Sequence, residues 1–298
     1  MLDRESTFAD KKIVAMLKED FVPVAIDQWY TRRQKDTEGD FYRKIAGQGP
    51  RNDFKATTQG LYIADPAGKL IAYNNNRGPE RIRKLLESAL ANYTAPDCEP
   101  LDDEKIDQAY DPKLPVGAAV VRCGTKVEGG YEKTDDQWQQ IFQKSVARDN
   151  LWILKSEIEA LAKNEMPPSL ARRIARFHLT DNTRGQPPVW DKKDVKDLAI
   201  KIEDGKVTGS VHLENENGSR GYIAKLTGVV TMADGVLKCF DVVAKGEYWG
   251  AGQYTLKPPS GRFPLVVAFR LPTEPDTADL IPPHGSRGWL DGYLNPDR

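Results

Sequence analysis

The stretch Met1–Asp27, MLDRESTFADKKIVAMLKEDFVPVAID, decides the expected fold of the first third of the chain. Ser6 or Thr7 is suited to cap a helix whose apolar residues recur at helical spacing. The apolar run Phe21–Ile26 follows, and its length, its β-branched content and Pro23 favour a buried strand over a helix. The stretch therefore predicts a short amphipathic helix that leads directly into a buried strand.

The 298-residue chain is balanced in charge, with 43 basic and 44 acidic side chains and a formal net charge of −1. This balance gives no electrostatic surface for nucleic acid or an anionic membrane. Hydrophobic residues at 39% and charged residues at 29% are typical of a soluble globular protein with room for two domains. No apolar run approaches the roughly 20 residues of a membrane helix, and no signal peptide is visible. We therefore expect no nucleic-acid or membrane partner and a cytoplasmic location by default, with export if an upstream extension exists.

Three further elements are predicted within the first third. Asp36–Ile45 has helical character, and a β-hairpin follows with strands at Leu61–Ala64 and Lys69–Tyr73. The sequence Asp65–Gly68 between these strands matches a type I turn. Pro79–Ala91 then predicts a helix with proline in its first turn and one apolar face. The expected order is helix, strand, helix, β-hairpin, helix.

The stretches LDRESTFADKKIVAMLKEDFVPVAID and LYIADPAGKLIAY resemble the thioredoxin-like domains of the group that includes spermatogenesis-associated protein 20. The resemblance covers residues 1–95 and implies a thioredoxin-like α/β domain. Members of this group carry a Cys-x-x-Cys motif ahead of the helix and a cis-proline before the hairpin. This sequence has no such motif, and Thr58 or Gln59 stands at the proline position. With both features absent, dithiol exchange has no visible nucleophile, and we expect a redox-inactive domain without a catalytic residue.

The central strand of such a domain is left unassigned by the sequence. Either the strand and its cysteines lie in an N-terminal extension, or another segment takes its place. Val116–Cys123, VGAAVVRC, is the best internal candidate. Residues 96–132 otherwise predict a linker or an extended wrapping segment, because they are rich in proline and acidic residues, with a possible added strand at this position.

Residues 133–298 predict a helical segment followed by an antiparallel β domain, so that the whole chain is expected to be α+β. Thr134–Gln137 has capping-box spacing, and the helical character continues through Leu151–Leu161. Three hairpin signals then predict a meander that forms a sandwich-like or curved sheet. These signals are Asp204-Gly205, Asn217-Gly218 and Asp234-Gly235. The tail from Pro272 is predicted to lie over the domain without regular structure.

Five residues in the second part of the chain are candidate ligand-binding residues. They are His178, Asp181, Trp190, Trp249 and Tyr254. The first three lie in or beside a polar, turn-rich loop of a kind that often carries sites, although a structural connection is the alternative. Trp249 and Tyr254 flank a glycine-rich loop on which a flat ligand such as a sugar or a peptide could stack. The alternative for this loop is a β-bulge covered by an aromatic side chain.

No metal, cofactor or catalytic residue is expected from the spacing of cysteines and histidines, which are few and far apart in sequence. They are Cys98, Cys123, Cys239, His178, His212 and His284. The leading hypothesis is a redox-inactive thioredoxin-like protein that acts as a binding or assembly module for an unknown protein or small ligand. A homo-oligomer is left open. The alternatives are a thiol-disulfide oxidoreductase whose Cys-x-x-Cys lies upstream of this chain, and a β domain that binds a ligand or carbohydrate.

Overall fold

The computed structural model describes residues 5–100, 105–255 and 257–297. These residues form two compact units, one ending at Pro112 and the other beginning at Lys113. The predicted combination of helices with a large antiparallel sheet is confirmed. No helix in the described ranges is long and apolar enough to cross a membrane.

The first unit packs helices against a two-stranded hairpin. Its described elements are the 3-10 turn Thr7–Ala9, α1 (Lys11–Glu19), α2 (Gln28–Thr31), α3 (Thr37–Ala46), β1 (Leu61–Ala64), β2 (Leu70–Asn74) and α4 (Pro79–Ala91). The predicted hairpin and the helices that flank it are confirmed. Ile13 of α1, Ile63 of β1 and Leu86 of α4 share one buried cluster. The apolar faces of α1 and α4 therefore cover the hairpin.

The prediction of a buried strand at Phe21–Ile26 is wrong. No strand pairing involves this segment in the described part of the unit, and Val22 and Val24 are 90% and 70% exposed. Pro23 has no N–H group to donate to a sheet. Apart from Phe21, which is half-buried and packs against the core, the apolar run therefore lies outside the core, and the thioredoxin-like character of the unit stays a prediction.

Part of the predicted linker packs against the first unit. The backbone N–H of Asp107 donates to Oδ2 of Asp36 at 2.9 Å. The ring centroids of Tyr30 and Tyr110 lie 5.7 Å apart. Residues 107–110 therefore belong to the surface of this unit rather than to a free linker.

The second unit is built on a single antiparallel sheet. Its described strands and helices are β3 (Ala119–Val127), α5 (Gln137–Lys144), β4 (Ala147–Ile153), α6 (Lys155–Leu161), α7 (Pro168–Arg173), β5 (Val195–Glu203), β6 (Lys206–Glu214), β7 (Gly221–Ala233), β8 (Val236–Trp249), β9 (Arg262–Arg270) and α8 (Leu290–Leu294). The seven described strands form one sheet in the order β4-β3-β9-β8-β7-β6-β5, rather than the two layers of a sandwich. The predicted hairpins between β5 and β6, β6 and β7, and β7 and β8 are confirmed.

One face of this sheet carries the core of the unit. Val207, Val211 and Leu213 of β6 are buried on it, as the alternating pattern predicted. Leu170 of α7 and Ile174 at the start of a π-helical turn belong to the same buried cluster. The helices α6 and α7 and the π-helical turn therefore pack on the apolar face of the sheet, which also carries the candidate site.

Two predictions at the start of the sheet are wrong. The segment Val116–Cys123 does not complete the first unit, because β3 pairs with β4 and β9 in the second unit. Leu151–Ile153 is not helical but belongs to β4, where Leu151 lies opposite Val121. A short apolar run fits a buried helix and a buried strand equally well, so pairing with β3 decides the outcome.

Aspartates, rather than the predicted hydroxyl residues, cap two of the helices. Asp10, not Ser6 or Thr7, caps α1 by accepting two backbone N–H groups of the first turn at 2.9 and 3.1 Å. Asp136, not Thr134, caps α5 in the same manner. A carboxylate satisfies the free N–H groups and also favours the positive end of the helix dipole.

The tail is more ordered than the sequence predicted. Short 3-10 turns at Thr277–Leu280, Pro283–Gly285 and Arg287–Trp289 precede α8. Tyr293 of α8 is fully buried in a cluster with Trp152 of β4. The tail is therefore part of the packed unit and not a surface covering.

Candidate metal centre

A carboxylate and two imidazoles from three distant parts of the chain meet inside the second unit. Asp149 lies on β4, His178 ends the π-helical turn Ile174–His178, and His284 lies in the tail. One potential ligand atom of each residue lies within 4.8 Å of those of the other two. The side chains of Asp149, His178 and His284 are 10%, 0% and 5% exposed. The cluster is therefore shielded from bulk water.

Both imidazoles face the same oxygen of Asp149. Nδ1 of His178 and Nε2 of His284 each lie 3.1 Å from Oδ2. The other carboxylate oxygen, Oδ1, accepts the backbone N–H groups of Asn150 and His284, both at 2.9 Å. Because two backbone groups hold Oδ1, the carboxylate is fixed with Oδ2 directed at the rings.

Oδ2 of Asp149 and Nδ1 of His178 are both buried without a hydrogen bond of acceptable geometry, although they lie 3.1 Å apart. Leaving a buried polar atom unpaired costs about 1–3 kcal/mol, and native structures contain few such atoms. A cation bound between Oδ2 and Nδ1 would satisfy both atoms. This pair of unpaired atoms is the feature of the cluster that most needs an explanation.

The backbone at His284 is in the left-handed region, with φ 51° and ψ 22°. This conformation is uncommon for a residue other than glycine. In this conformation, both the backbone N–H and the ring of His284 contact Asp149. Pro282 and Pro283 restrict the preceding backbone. Nε2 of His284 also contacts the carbonyl oxygen of Phe177, the residue before His178. A carbonyl oxygen only accepts, so this contact requires a proton on Nε2, and a metal bound at Nε2 would replace it.

The tail is fastened to the sheet just before His284. Arg122 of β3 donates from Nε and Nη2 to the two carboxylate oxygens of Asp279, both at 2.8 Å. Nδ2 of Asn150, beside Asp149 on β4, donates to the carbonyl oxygens of Ala278 and Ile281 at 2.7 and 2.8 Å. These four hydrogen bonds fix the position along β3 and β4 at which the tail crosses the two strands.

Tyr293 orients the ring of His178 from the side opposite Asp149. Its hydroxyl lies 2.9 Å from Nε2 of His178 and accepts the backbone N–H of Trp152 at 3.4 Å. Phe269 of β9 packs edge-on against the imidazole, with ring centroids 6.1 Å apart. A histidine held through its second nitrogen is a common arrangement around metal ligands. π-Helical turns such as the one that ends at His178 are also frequent at functional sites.

A buried ion pair supports Tyr293 in turn. Arg173 of α7 contacts Glu157 of α6, and its guanidinium lies 5.6 Å from the centre of the Tyr293 ring. Nη2 of Arg173 also donates to the carbonyl oxygen of Trp152 at 3.1 Å. Glu157 accepts the hydroxyl of Ser169 at 2.6 Å. The side chains around the cluster are therefore held by partners of their own.

The electrostatics of the cluster favour an ionised carboxylate beside a neutral imidazole. Burial by itself would raise the pKa of Asp149, but the neighbouring imidazoles of His284 and His178 outweigh it and lower that pKa below its usual range. Burial is also the largest influence on His178, and it lowers the pKa of that imidazole against the opposing effect of Asp149. Carboxylate and neutral imidazole are the protonation states that bind metals.

The donor set of the cluster suits a first-row transition metal. Two imidazole nitrogens and one carboxylate oxygen are ligands of Zn²⁺ and of non-haem iron, whereas Ca²⁺ and Mg²⁺ prefer oxygen alone. Tetrahedral ligation with bonds of about 2.0–2.1 Å places ligand atoms about 3.3 Å apart. The two distances of 3.1 Å to Oδ2 of Asp149 lie close to this value.

Of the five candidates predicted from sequence, His178 is the one that belongs to this cluster. Asp181 is buried in a separate ion pair, with Oδ2 2.6 Å from Nη2 of Arg184. Its Oδ1 accepts the hydroxyl of Thr183 at 2.6 Å. Asp181 therefore stabilises the loop that follows His178 and does not face the same point.

The three aromatic candidates lie in environments of their own. Trp190 is fully buried and donates from Nε1 to the carbonyl oxygen of Leu179 at 2.9 Å, as a core residue does. Trp249 donates from Nε1 to the carbonyl oxygen of Gly218 at 2.9 Å. Tyr254 is 64% exposed. The role of Trp249 and Tyr254 in binding a flat ligand stays a prediction.

Sequence reasoning missed Asp149, His284 and Tyr293. Asp149 lay at the edge of a segment that was predicted as helix, and the tail that carries the other two was predicted to be irregular. Sequence distance concealed the site as well, since 135 positions separate Asp149 from His284. The one available signal was the sequence Pro-Pro-His-Gly around His284, whose restricted backbone indicates an ordered position.

No protein-family model, curated protein or solved structure significantly matches the chain.

Proposed function

We propose that the second unit binds one divalent transition-metal ion through Oδ2 of Asp149, Nδ1 of His178 and Nε2 of His284. The observation that carries the proposal is the convergence of these three buried atoms within 4.8 Å, two of them without a hydrogen bond. The ion connects β4, the π-helical turn and the tail. In the metal-bound form Nε2 of His178 carries the ring proton and donates to the hydroxyl of Tyr293.

The role of this ion is to hold the tail on the sheet. The three ligands are nearly inaccessible to solvent, which is typical of a structural rather than a catalytic centre. Structural metal sites contribute folding free energy directly, because the unfolded chain has no preformed site. The ion therefore cross-links Asp149, His178 and His284, which are far apart along the chain.

The competing interpretation is a buried network in which both imidazoles donate hydrogen bonds to Asp149. Such a network would require a well-aligned N–H group between Nδ1 of His178 and Oδ2. The two atoms lie 3.1 Å apart with poor alignment, and their interaction still lowers the pKa of Asp149. Coordination to a shared cation needs no alignment between the ligand atoms, and it also accounts for Nε2 of His284 at the same carboxylate oxygen.

Elemental analysis of the full chain tests the proposal. Protein purified without chelator, or stripped and reloaded with Zn²⁺, is expected to hold one equivalent of metal after exhaustive dialysis. Asp149→Asn keeps the shape of the side chain but removes its charge, and is expected to retain much less. The matched control is Asp197→Asn, which changes an exposed aspartate of β5. Equal retention by both variants, or no tight binding by the unaltered chain, would contradict the proposal.

We also infer that the first unit is a redox-inactive thioredoxin-like module for binding or assembly. Two observations support this proposal. The segment from Val22 to Ile26 presents apolar side chains to solvent, as a surface for a partner does. Cys98 is the one cysteine in the sequence up to Pro112, and it is exposed and unpaired.

An insulin-reduction assay tests the redox part of this second proposal. The purified chain is expected to give the rate of the buffer with dithiothreitol alone, because dithiol exchange needs two cooperating thiols. Cys98→Ser is expected to behave like the unaltered chain. Turnover that depends on Cys98 would contradict the proposal and support an oxidoreductase.

A further inference from the structure

We infer that Cys123 supplies the fourth ligand of the metal centre, so that the site is a closed, four-coordinate Zn²⁺ site with two nitrogen, one oxygen and one sulfur ligands. The inference rests on the proposed function and specifies the metal and its coordination. It follows from the register of the sheet, from the burial of the thiol and from the charge of the site.

The register of the sheet places Cys123 directly opposite Asp149. Cys123 of β3 pairs with Asp149 in the antiparallel β3–β4 ladder, so both side chains project from the same face. Directly opposed residues have Cβ atoms about 4.5–5.5 Å apart. A single ion can bridge this gap, since bonds of about 2.0 Å to oxygen and about 2.3 Å to sulfur suffice.

A row of three side chains on this face lies beneath His178. Cys123 is flanked by Asp149 on β4 and by Phe269 on β9, which lies opposite it in the next ladder. His178 contacts both flanking residues, with Nδ1 3.1 Å from Oδ2 of Asp149 and its ring packed edge-on against Phe269. The thiol therefore occupies the middle of the row that the imidazole covers.

Coordination requires a rotation of Cys123 about its Cα–Cβ bond. The cluster within 4.8 Å consists of Asp149, His178 and His284, and Sγ of Cys123 is not part of it. Side chains exchange between three staggered positions at this bond, and one of these changes moves the sulfur without moving the strand.

A second anionic ligand would neutralise the site. With Asp149 as carboxylate and two neutral imidazoles, a divalent cation leaves a net charge of about +1 among side chains that are at most 10% exposed. A thiolate at Cys123 brings the sum to zero. Cys123 itself is 3% exposed, and it is the one cysteine on the core face of the sheet.

Coordination deprotonates the thiol. The S–H bond breaks, the sulfur keeps the electron pair and donates it to the metal, and the proton leaves to solvent. Burial and the neighbouring carboxylate of Asp149 both raise the pKa of the thiol, and a bound Zn²⁺ would stabilise the thiolate strongly enough to remove the proton at neutral pH. No oxidant or further reactant is needed.

Cobalt substitution tests the inference on the full chain. Co²⁺ bound to a thiolate gives an intense near-ultraviolet charge-transfer band, which nitrogen and oxygen ligands do not produce, and its visible bands report coordination number. We expect both signatures in the unaltered chain. Cys123→Ser is expected to lose the charge-transfer band while it still binds Co²⁺ through the three remaining ligands.

The matched controls are the other two cysteines. Cys239→Ser alters a thiol on β8 that contacts the carbonyl oxygen of Val229, and Cys98→Ser alters the exposed thiol of the first unit. Both variants are expected to keep the full charge-transfer band. Loss of the band in either of them, with retention in Cys123→Ser, would overturn the assignment.

X-ray absorption of the Zn²⁺-loaded unaltered chain covers the case in which Cys123→Ser does not fold. We expect one sulfur at about 2.3 Å and three lighter ligands at about 2.0–2.1 Å. Binding of the metal with only nitrogen and oxygen ligands would overturn the role of Cys123 and leave the proposed function intact. Failure of the unaltered chain to bind any of these metals would overturn both.

Discussion

Nε2 of His284 lies 3.1 Å from Oδ2 of Asp149, and the backbone N–H of the same histidine donates to Oδ1 of the same carboxylate at 2.9 Å. Asp149 belongs to the second strand of a seven-stranded sheet, whereas His284 belongs to a tail that follows the last strand. The contact therefore links the first and last parts of the second unit.

Replacement of His284 by alanine is expected to weaken metal binding by at least ~100-fold. It removes one of the three ligands, and the backbone around residue 284 is then no longer held in place by that ligand. Competition with a chromophoric chelator measures the dissociation constant. The matched control is His212→Ala on β6, where the imidazole lies 3.3 Å from Glu214. An equal affinity for the two variants would show that the tail does not bind the metal.

Tyr293→Phe is expected to lower metal affinity by about 10–100-fold without removing a ligand, since the hydroxyl orients His178 through Nε2. The variant also leaves the backbone N–H of Trp152 without its partner, which costs about 1–3 kcal/mol of stability. Isothermal titration and urea unfolding measure the two effects. Tyr254→Phe, at an exposed tyrosine, is expected to change neither, and a similar loss there would argue against a positioning role for Tyr293.

Removal of the metal is expected to loosen the tail before the sheet unfolds. A ligand at 100 times its dissociation constant stabilises the folded state by about 2.7 kcal/mol, and this contribution disappears with a strong chelator. Limited proteolysis should then cleave between residues 272 and 290 first, and the melting temperature should fall by several degrees. In His284→Ala the chelator is expected to have little further effect. Cleavage confined to the sheet hairpins would contradict this order.

The ion pair between Arg122 and Asp279 predicts a specific acid dependence. The two hydrogen bonds from Arg122 are the largest influence on Asp279, and they lower the pKa of that carboxyl below its usual value. The unfolded chain therefore binds the proton more tightly than the folded chain. The stabilisation is complete above the unfolded pKa of about 3.9 and is lost as the pH falls through the lowered folded value.

Asp279→Asn is the corresponding variant. It is expected to lose about 1 kcal/mol or less at neutral pH, because Arg122 is partly exposed, and to unfold with a flatter dependence on pH below about 4. Asp241→Asn serves as control, since its carboxylate lies 3.8 Å from Arg270 in an exposed pair. Urea unfolding at several pH values provides the comparison, and a steeper acid limb in Asp279→Asn would contradict the sign.

The position of the apolar run in the first unit can be tested by a pair of substitutions. Val24→Ser changes an exposed residue and is expected to alter stability by about 0.5 kcal/mol or less. Leu86→Ala opens a cavity in the core between α4 and the hairpin and is expected to cost about 2–5 kcal/mol. A large cost for Val24→Ser, measured by urea unfolding, would indicate that Phe21–Ile26 is buried after all.

The sequence predicted well those elements whose signals are local. The Asp-Gly and Asn-Gly pairs at 204–205, 217–218 and 234–235 specify their own turns, because the left-handed backbone that these turns need is available to few residues. The alternation along Lys206–Glu214 likewise specifies which face of β6 is buried. Such signals depend on neighbours in the chain and need no knowledge of the fold.

The candidate site depends instead on distant partners. Asp149 faces the core because β4 pairs with β3, and the run after it fits a helix equally well until that pairing is known. His284 and Tyr293 reach the site because Arg122 and Asn150 hold the tail across the two strands. Phe21–Ile26 shows the converse case, since an apolar run alone does not ensure that a sheet is present to bury it.

The separation of Asp149 and His284 along the chain has a consequence for biosynthesis. The 135 residues between them take roughly 7–27 s to translate at about 5–20 residues per second. For most of that interval Asp149 and His178 have been synthesised, whereas His284 has not. Closure of the centre is therefore among the last non-local steps of folding, and such steps are intrinsically slow. A polypeptide released before His284 would lack one ligand of the metal. Metal retention would therefore distinguish chains that include His284 from chains that terminate before it.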